Sequence, residues 1–492
     1  MISGFAVSCG TDNATSEIDY KISPESFVFS EEGGIQYLTI QTKNHVTASS
    51  DASWCEVAFE ETQSMRVLKF AVRASANNTA NIRTATIKLL IGGKITEAIP
   101  VTQQGINGNI PPAEDEITGP VDPDKTGMES DAKTLMKKMH LGINLGNTLE
   151  AIGGETAWGA PRTTEEIILY FKELGFNAVR VPCSWDQNLE SGDGYVVKAS
   201  WMQRVKQVID YIVSNDMYAI LNIHWDGGWL ENDIPNGYDK NVDDQQRAIW
   251  TQIATTFRDY DEHLVFAGTN EPNVENAAHM ETLLKYEQTF INAVRATGGK
   301  NAYRVLVFQG PSTDVDKTSQ LMNKLPVDTV EGRLAAEVHY YTPWTFCGLA
   351  EDASWGKMMY FWGNDQKGYA TGAYAGLWAS GNNEDYVARQ MAKMKKKFWD
   401  NGIPVIIGEY SVCCQKKCNL GTAEENAKAE EGYMKSRAAF NACVVRESKA
   451  NGCVPFYWHC QGDLIDRRTL SVTEKSTYDA IIEAGKTQYP EK

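Results

Sequence analysis

Residues 263–273 read HLVFAGTNEPN, and this stretch decides the fold. A short apolar run, Leu264 to Gly268, breaks abruptly into Thr269-Asn270-Glu271-Pro272-Asn273. Asn, Glu and Pro are ordinary loop residues, and Pro272 can simply end a strand. The surrounding chain separates that bland reading from a functional one. Seven further segments follow the same rule, an apolar run closing on polar or aromatic residues: 141–147, 176–185, 218–225, 303–310, 334–341, 404–411 and 454–460. Helix-period runs lie between most of them, at 164–174, 201–215, 244–260, 278–297 and 385–400. Buried strands alternating with amphipathic helices predict a parallel sheet. Eight such units between residues 128 and 492 predict an α/β fold of the (β/α)8 TIM-barrel type. A doubly wound sheet is the rival, but no Gly-rich phosphate loop supports it.

A barrel places its functional groups at the C-terminal ends of its strands. Strand 2 closes near Arg180, strand 3 at His224, strand 4 at Asn270 and Glu271, and strand 6 at His339 and Tyr341. Strand 7 closes at Glu409 and strand 8 at Trp458. Two glutamates facing one pocket suit glycoside hydrolysis, in which one carboxyl donates a proton and the other works ionised. A separation of about 5 Å means retention of configuration; about 6.5–9.5 Å means inversion. His224, His339, Glu271 and Glu409 sit on four strands with no HxH or HExxH spacing, so neither a metal nor any other cofactor is expected.

Ahead of the barrel, residues 19–105 alternate apolar and polar at period 2 in six runs. This predicts a small all-β, immunoglobulin-like sandwich. Trp54, in a strand-like motif, is expected to pack rather than to bind. Residues 106–127 are rich in Pro, Gly and acid and read as a linker. Residues 1–18 read as a signal remnant and tether: Ser8-Cys9-Gly10 looks like the end of a lipobox, at which Cys9 would carry the lipid anchor. Neither Lys nor Arg precedes ISGFAV, and Ala6 stands where Leu is usual; the bland alternative is a cloning remnant. The formal net charge of -17 argues against a nucleic-acid partner, whose phosphates demand a basic face. No apolar run spans a bilayer, which leaves the lipid anchor as the only membrane contact expected. Cys413, Cys414 and Cys418 cluster without a second pair at zinc spacing, which favours a local disulfide or free buried thiols.

The motifs GTNEP, GEY, VRVP, NIHW, HYY and FYW resemble those of glycoside hydrolase family 5, across residues 130 to about 485. GINLGNTLEA, ETAWGAPRTT and LIDRRT resemble its subfamily 4. SSDASWCEV and NIRTATIKLLI…IPVTQQG resemble the BACON domain, which implies either carbohydrate binding or a spacer; the spacer is favoured. The family resemblance implies a retaining mechanism, with Glu271 as general acid/base and Glu409 as nucleophile. It further implies that Asn270 holds the 2-hydroxyl, that Arg180 hydrogen-bonds Glu409, and that His224 and His339 line the −1 sugar site. Tyr341 would order the nucleophile and Trp458 would form the stacking floor. Two departures stand out. Trp225 follows His224 where many relatives carry a second His, and Glu150 stands where Asp is usual; both are expected near the cleft. Trp225 and Trp229 would enlarge an aromatic platform, unless Trp229 wedges its loop.

Subfamily resemblance implies endo-attack on β-1,4-glucan. The long segment 342–383, with Trp344, Trp355 and Trp362, is expected to wall a wide cleft suited to a branched chain. The expected partner is therefore a polysaccharide, xyloglucan first, with mixed-linkage β-glucan or cellulose as the alternative. A non-catalytic glycan-capture protein is the reading the intact Glu pair opposes. Export to the outer membrane of a Gram-negative bacterium, as a surface lipoprotein, is the expected location.

Overall fold

The computed structural model describes residues 20–491 apart from 25, 32, 65–66, 78, 80–81, 104–120, 193 and 461. Cys9 and most of the linker lie outside the described residues. The chain divides into two compact units, Met1–Ile117 and Thr118–Lys492.

Among the described residues the first unit holds eight strands: β1 (Tyr20–Ser23), β2 (Phe27–Phe29), β3 (Gly34–Thr42), β4 (Val46–Ser50), β5 (Cys55–Ser64), β6 (Val67–Ala74), β7 (Arg83–Ile91) and β8 (Lys94–Gln103). They form two four-stranded sheets, ordered β1-β3-β6-β5 and β2-β8-β7-β4. Period-2 alternation sends Leu38, Ile40, Phe70 and Val72 from one sheet, and Ile87, Leu89, Ile99 and Val101 from the other, into one core. β1 and β4 are the strands that the six-run reading missed; YKIS and VTASS hold too few large apolar residues for their alternation to register. Trp54 packs against this core, and the Arg83 guanidinium lies 4.4 Å from its ring centre.

The second unit is a closed barrel of eight parallel strands. They are β9 (Gly142–Asn144), β10 (Ala178–Val181), β11 (Tyr218–Asn222), β12 (Leu264–Ala267), β13 (Leu306–Gln309), β14 (Leu334–Tyr340), β15 (Val405–Tyr410) and β16 (Cys453–Tyr457). All eight expected strands are present. The five expected helices are present too, at Glu165–Glu173, Ala199–Val213, Lys240–Thr256, Ala277–Ala296 and Glu384–Lys397. Outward strand residues such as Val179, Leu221, Phe266 and Ile407 pack against helix residues such as Ile168, Ile209 and Phe290. Inside, Ala178, Ile220, Val265, Val307, Ala335, Ile406 and Phe456 fill the lower barrel, closed below by Leu135 and Met136 of the helix Ala132–Lys138. Gly142 makes room for the largest of these, since a Cβ there would fall 2.2 Å from the Phe456 ring. Above this apolar plug the interior turns polar.

Candidate active site

The polar layer is built by strand register. Side chains two apart on a strand share a face, so Glu337 and His339 both point into the barrel from β14. Cα partners across neighbouring strands then bring Asn144 beside Arg180, Gln309 beside Glu337 and His339 beside Glu409. Glu409 reaches the interior by an irregularity. Ile406 and Gly408 face inward, and a Cβ on Gly408 would lie 1.9 Å from Glu337 Oε1. Strict alternation would send Glu409 outward, but the register of β15 shifts against both neighbours at this point. Such bulges at barrel rims re-aim a side chain, and this one turns Glu409 into the pocket.

Arg180, fully buried, organises the layer. Its Nε meets Glu337 Oε1 at 2.9 Å, and its Nη1 donates to Glu409 Oε1 at 2.9 Å and to Asn144 Oδ1 at 2.9 Å. Its Nη2 donates to Asn270 Oδ1 at 2.8 Å, which leaves the Asn270 amide nitrogen as the donor available to the cleft. Tyr341 donates to Glu409 Oε2 at 2.9 Å. Glu409 thus receives a hydrogen bond on each oxygen.

His339 lies between the acids. Its Nδ1 is 2.7 Å from Glu271 Oε1 and 3.6 Å from Glu409 Oε2, and its Nε2 is 3.3 Å from Glu337 Oε1. Burial works against charge on this ring, but Glu409, Glu271 and Glu337 outweigh it and push the imidazole up to about 9. At neutral pH His339 is an imidazolium donating to two carboxylates. The pocket raises the Glu271 carboxyl by desolvation, yet the bond from His339 and its charge hold Glu271 below the ordinary range. Glu409 is pushed up by its deeper burial, against the pull of His339, Arg180 and Tyr341. Glu271 is the open member, with 48% of its side chain exposed against 7% for Glu409. Oxygens of Glu271 and Glu409 and a ring nitrogen of His339 lie within 4.8 Å of one another.

His224 sits opposite. Asn222 Oδ1 accepts from Cys183 N at 3.2 Å, which turns its amide nitrogen toward His224 Nδ1, also at 3.2 Å. Burial, with Arg180 and His339 nearby, holds His224 well below its ordinary value. A neutral ring that accepts at Nδ1 carries its proton on Nε2 and offers a donor there. The ring stacks on Trp458 with centres 5.7 Å apart and planes 8° from parallel. Gly146 permits Trp458 its place, because a Cβ there would lie 3.3 Å from the indole and 2.7 Å from the His459 carbonyl.

Arg180, Asn270, Glu271, His339, Tyr341 and Glu409 are therefore linked in one hydrogen-bonded set, with His224 and Trp458 joined to each other by ring stacking. Trp225 and Trp344 are exposed on the loops after β11 and β14, Trp344 standing edge-on to Tyr341 at 5.8 Å. Trp229 and Glu150 are placed, and the expectation for Trp362 is corrected. Trp229 is half-buried against the barrel core, which makes it a wedge for its loop rather than a free platform. Trp362 is fully buried, edge-on to Phe440, and lines no cleft; Trp355 of the same segment is 63% exposed. Glu150 is buried and caps its own turn, accepting from the Thr148 and Asn147 amides. Cys413, Cys414 and Cys418 are free thiols, with Cys413 exposed. The sequence reading missed Asn144, Gln309 and Glu337. Gln309 Nε2 donates to Glu337 Oε2 at 2.7 Å and its Oε1 accepts from Thr269 N at 2.9 Å, so it braces both the buried acid and the Glu271 turn. The available signal was a polar residue inside an otherwise apolar strand, which a folded chain keeps only when it is partnered.

This barrel, with paired carboxylates above an Arg-centred polar layer, has the form of a glycosidase. A family model for cellulase (glycosyl hydrolase family 5) matches residues 144–463, and the chain belongs to that family. A second model, BACON, matches residues 44–104. The chain is similar to the xyloglucan-specific endo-beta-1,4-glucanase BoGH5A of Bacteroides ovatus, at 31% identity over 97% of this chain and 93% of that one. It is also similar to endoglucanase B of Clostridium cellulovorans, at 31% identity over 68% of this chain and 69% of that one. Among solved structures, a Bacteroides ovatus GH5 xyloglucanase in complex with a XXXG heptasaccharide superposes with a TM-score of 0.66 at 30% identity, covering 95% of this chain and 100% of that chain. The chain is a family 5 endoglucanase.

Proposed function

We propose that the protein is a retaining endo-β-1,4-glucanase whose principal substrate is xyloglucan. The observation that carries the mechanism is the Glu271–Glu409 pair, whose oxygens approach within 4.8 Å. That approach falls on the retaining side of the division, short of the roughly 6.5–9.5 Å that an inverting pair keeps for its attacking water.

In this reading the glycosidic oxygen binds Glu271 in place of His339. Glu271 then loses the bond that held its carboxyl down, the sugar covers its exposed side, and desolvation raises it toward the protonated form. Glu409, held by Arg180 and Tyr341, attacks the anomeric carbon. Its C–O bond forms as the bond to the leaving oxygen breaks, and the Glu271 proton goes to that oxygen. The Glu271 carboxylate next takes a proton from water, the hydroxide so formed attacks the anomeric carbon, and the ester to Glu409 breaks. Neutral His224 and Asn270 donate to sugar hydroxyls without adding charge. Trp458 supplies an apolar floor for one ring face.

Substrate preference rests on Trp344 and Trp355, whose exposed rings in segment 342–383 are free to meet a sugar chain, and on likeness to a xyloglucan-specific relative. Likeness to an enzyme named only as an endoglucanase favours the alternative, mixed-linkage β-glucan or cellulose. The test is to incubate the protein with xyloglucan, barley β-glucan, carboxymethyl-cellulose and mannan, and to size the products over time while proton NMR follows the first anomer released. Rapid shortening of xyloglucan to its repeat units, with β-anomer first, is the expected result. Faster cutting of barley β-glucan moves the substrate; α-anomer first overturns the mechanism.

A further inference from the structure

Behind the Glu271 turn lies a carboxyl for which the mechanism above has no use. Glu231, on the loop after β11, is 2% exposed. Its backbone carbonyl accepts from Asn273 N at 3.3 Å, tying this loop to the segment that carries Glu271. Among the described residues neither of its carboxyl oxygens has a hydrogen-bond partner. The hydroxyl of Thr269, two residues before Glu271, is likewise buried and faces the Glu231 carboxyl as a donor. The charged groups facing Glu231 are Asp226 on its own loop and Glu271 at the end of β12. Asp226 is committed elsewhere, accepting from Trp185 N at 2.6 Å and from Asp186 N.

A carboxylate buried this deeply is poorly stabilised, with its own backbone N–H and the Thr269 hydroxyl pulling only weakly against the loss of solvation. Burial therefore pushes the Glu231 carboxyl up to about 7, and the negative charges of Asp226 and Glu271 add to the rise. We propose that Glu231 is a positioning residue for Glu271: its backbone carbonyl ties its loop to the 269–273 turn, and when its buried carboxyl ionises the charge holds the proton on Glu271. This rests on reading Glu271 as the proton donor. The consequence is a working range extended toward alkali, because the second negative charge arrives as the donor would otherwise lose its proton.

Glu231→Gln keeps the shape and deletes the ionisation. On a polysaccharide, the alkaline limb of kcat/KM should move to lower pH by about half a unit. On 2,4-dinitrophenyl β-cellobioside, whose leaving group departs without a proton, the limb for release of dinitrophenolate should stay in place. A limb unmoved on both substrates overturns the proposal, and so does an equal shift on both, which means the residue acts on the fold and not through Glu271. If circular dichroism shows Glu231→Gln misfolded, Glu231→Asp takes its place, with a smaller shift in the same direction expected and no shift overturning the proposal. Glu271→Ala, run in parallel, separates the two ideas. Loss of polysaccharide cleavage with retained, azide-responsive dinitrophenolate release supports the donor reading; unimpaired polysaccharide cleavage refutes that reading whatever Glu231 does.

Discussion

Replacing Arg180 by lysine tests the polar layer most severely. The guanidinium meets four oxygens at 2.8–2.9 Å, on Glu337, Glu409, Asn144 and Asn270, and is wholly shielded from water. Lysine keeps the charge but has a single nitrogen, which cannot serve a planar fork. Losing the charge-assisted bond to Glu409 costs about 1.5–3 kcal/mol, or roughly 10- to 100-fold in kcat/KM. The pH profile carries the sign. Arg180 lowers the proton affinity of Glu409, so weakening that contact lets Glu409 hold its proton to higher pH. The acid limb of activity, where the nucleophile must ionise, should therefore move upward. Arg180→Met goes further and leaves Glu337 and Glu409 with the His339 imidazolium as their remaining counter-charge, costing about 3–5 kcal/mol and lowering the melting temperature by roughly 5–10 °C. The assay is release of reducing ends across pH, with melting followed by circular dichroism. An Arg180→Lys enzyme within twofold of wild type and with an unmoved acid limb would refute the assignment of Arg180 as the group that keeps Glu409 ionised.

Tyr341→Phe removes the donor to Glu409 Oε2 and should lower kcat about 10- to 100-fold with little change in KM, as steady-state kinetics would read. Gly408→Ala places a Cβ 1.9 Å from Glu337 Oε1, so Glu337 must leave Arg180 and His339; a loss of about 1–3 kcal/mol in denaturant titration, together with lowered activity, is expected. Glu287 is fully buried and its carboxyl is pushed up by burial to about 8. The folded chain keeps that proton while the unfolded chain releases it above its ordinary value near 4.5, so Glu287 costs stability increasingly as pH rises toward 8. Glu287→Gln should therefore melt higher than wild type at pH 8, by an amount corresponding to a few kcal/mol at most, and the gain should vanish near pH 4; a gain independent of pH would show that packing, not ionisation, is responsible.

Much of this was legible in the chain alone. Eight apolar runs, most of them separated by amphipathic helices, point to a parallel sheet, because each run must bury both faces and each crossover must be covered by a helix; eight units without a Gly-rich phosphate loop favour its closure into a barrel. Glu271 was legible because the apolar run ends three residues before it, where a strand rim meets solvent. What folding in three dimensions decided is how the rim groups connect. Alternation along 405–410 points Glu409 away from the pocket, and only the register shift between β15 and its two neighbours turns it inward. Asn144, Gln309 and Glu337 look out of place inside apolar strands until cross-strand register sets each beside its partner. Trp355 and Trp362 stand seven residues apart in one loop, yet one is exposed and the other fully buried against Phe440. Composition and period report what a residue tends to do on its own element. Whether a carboxylate is charged or an indole is bare depends on atoms distant in sequence, and those come together only when the barrel closes.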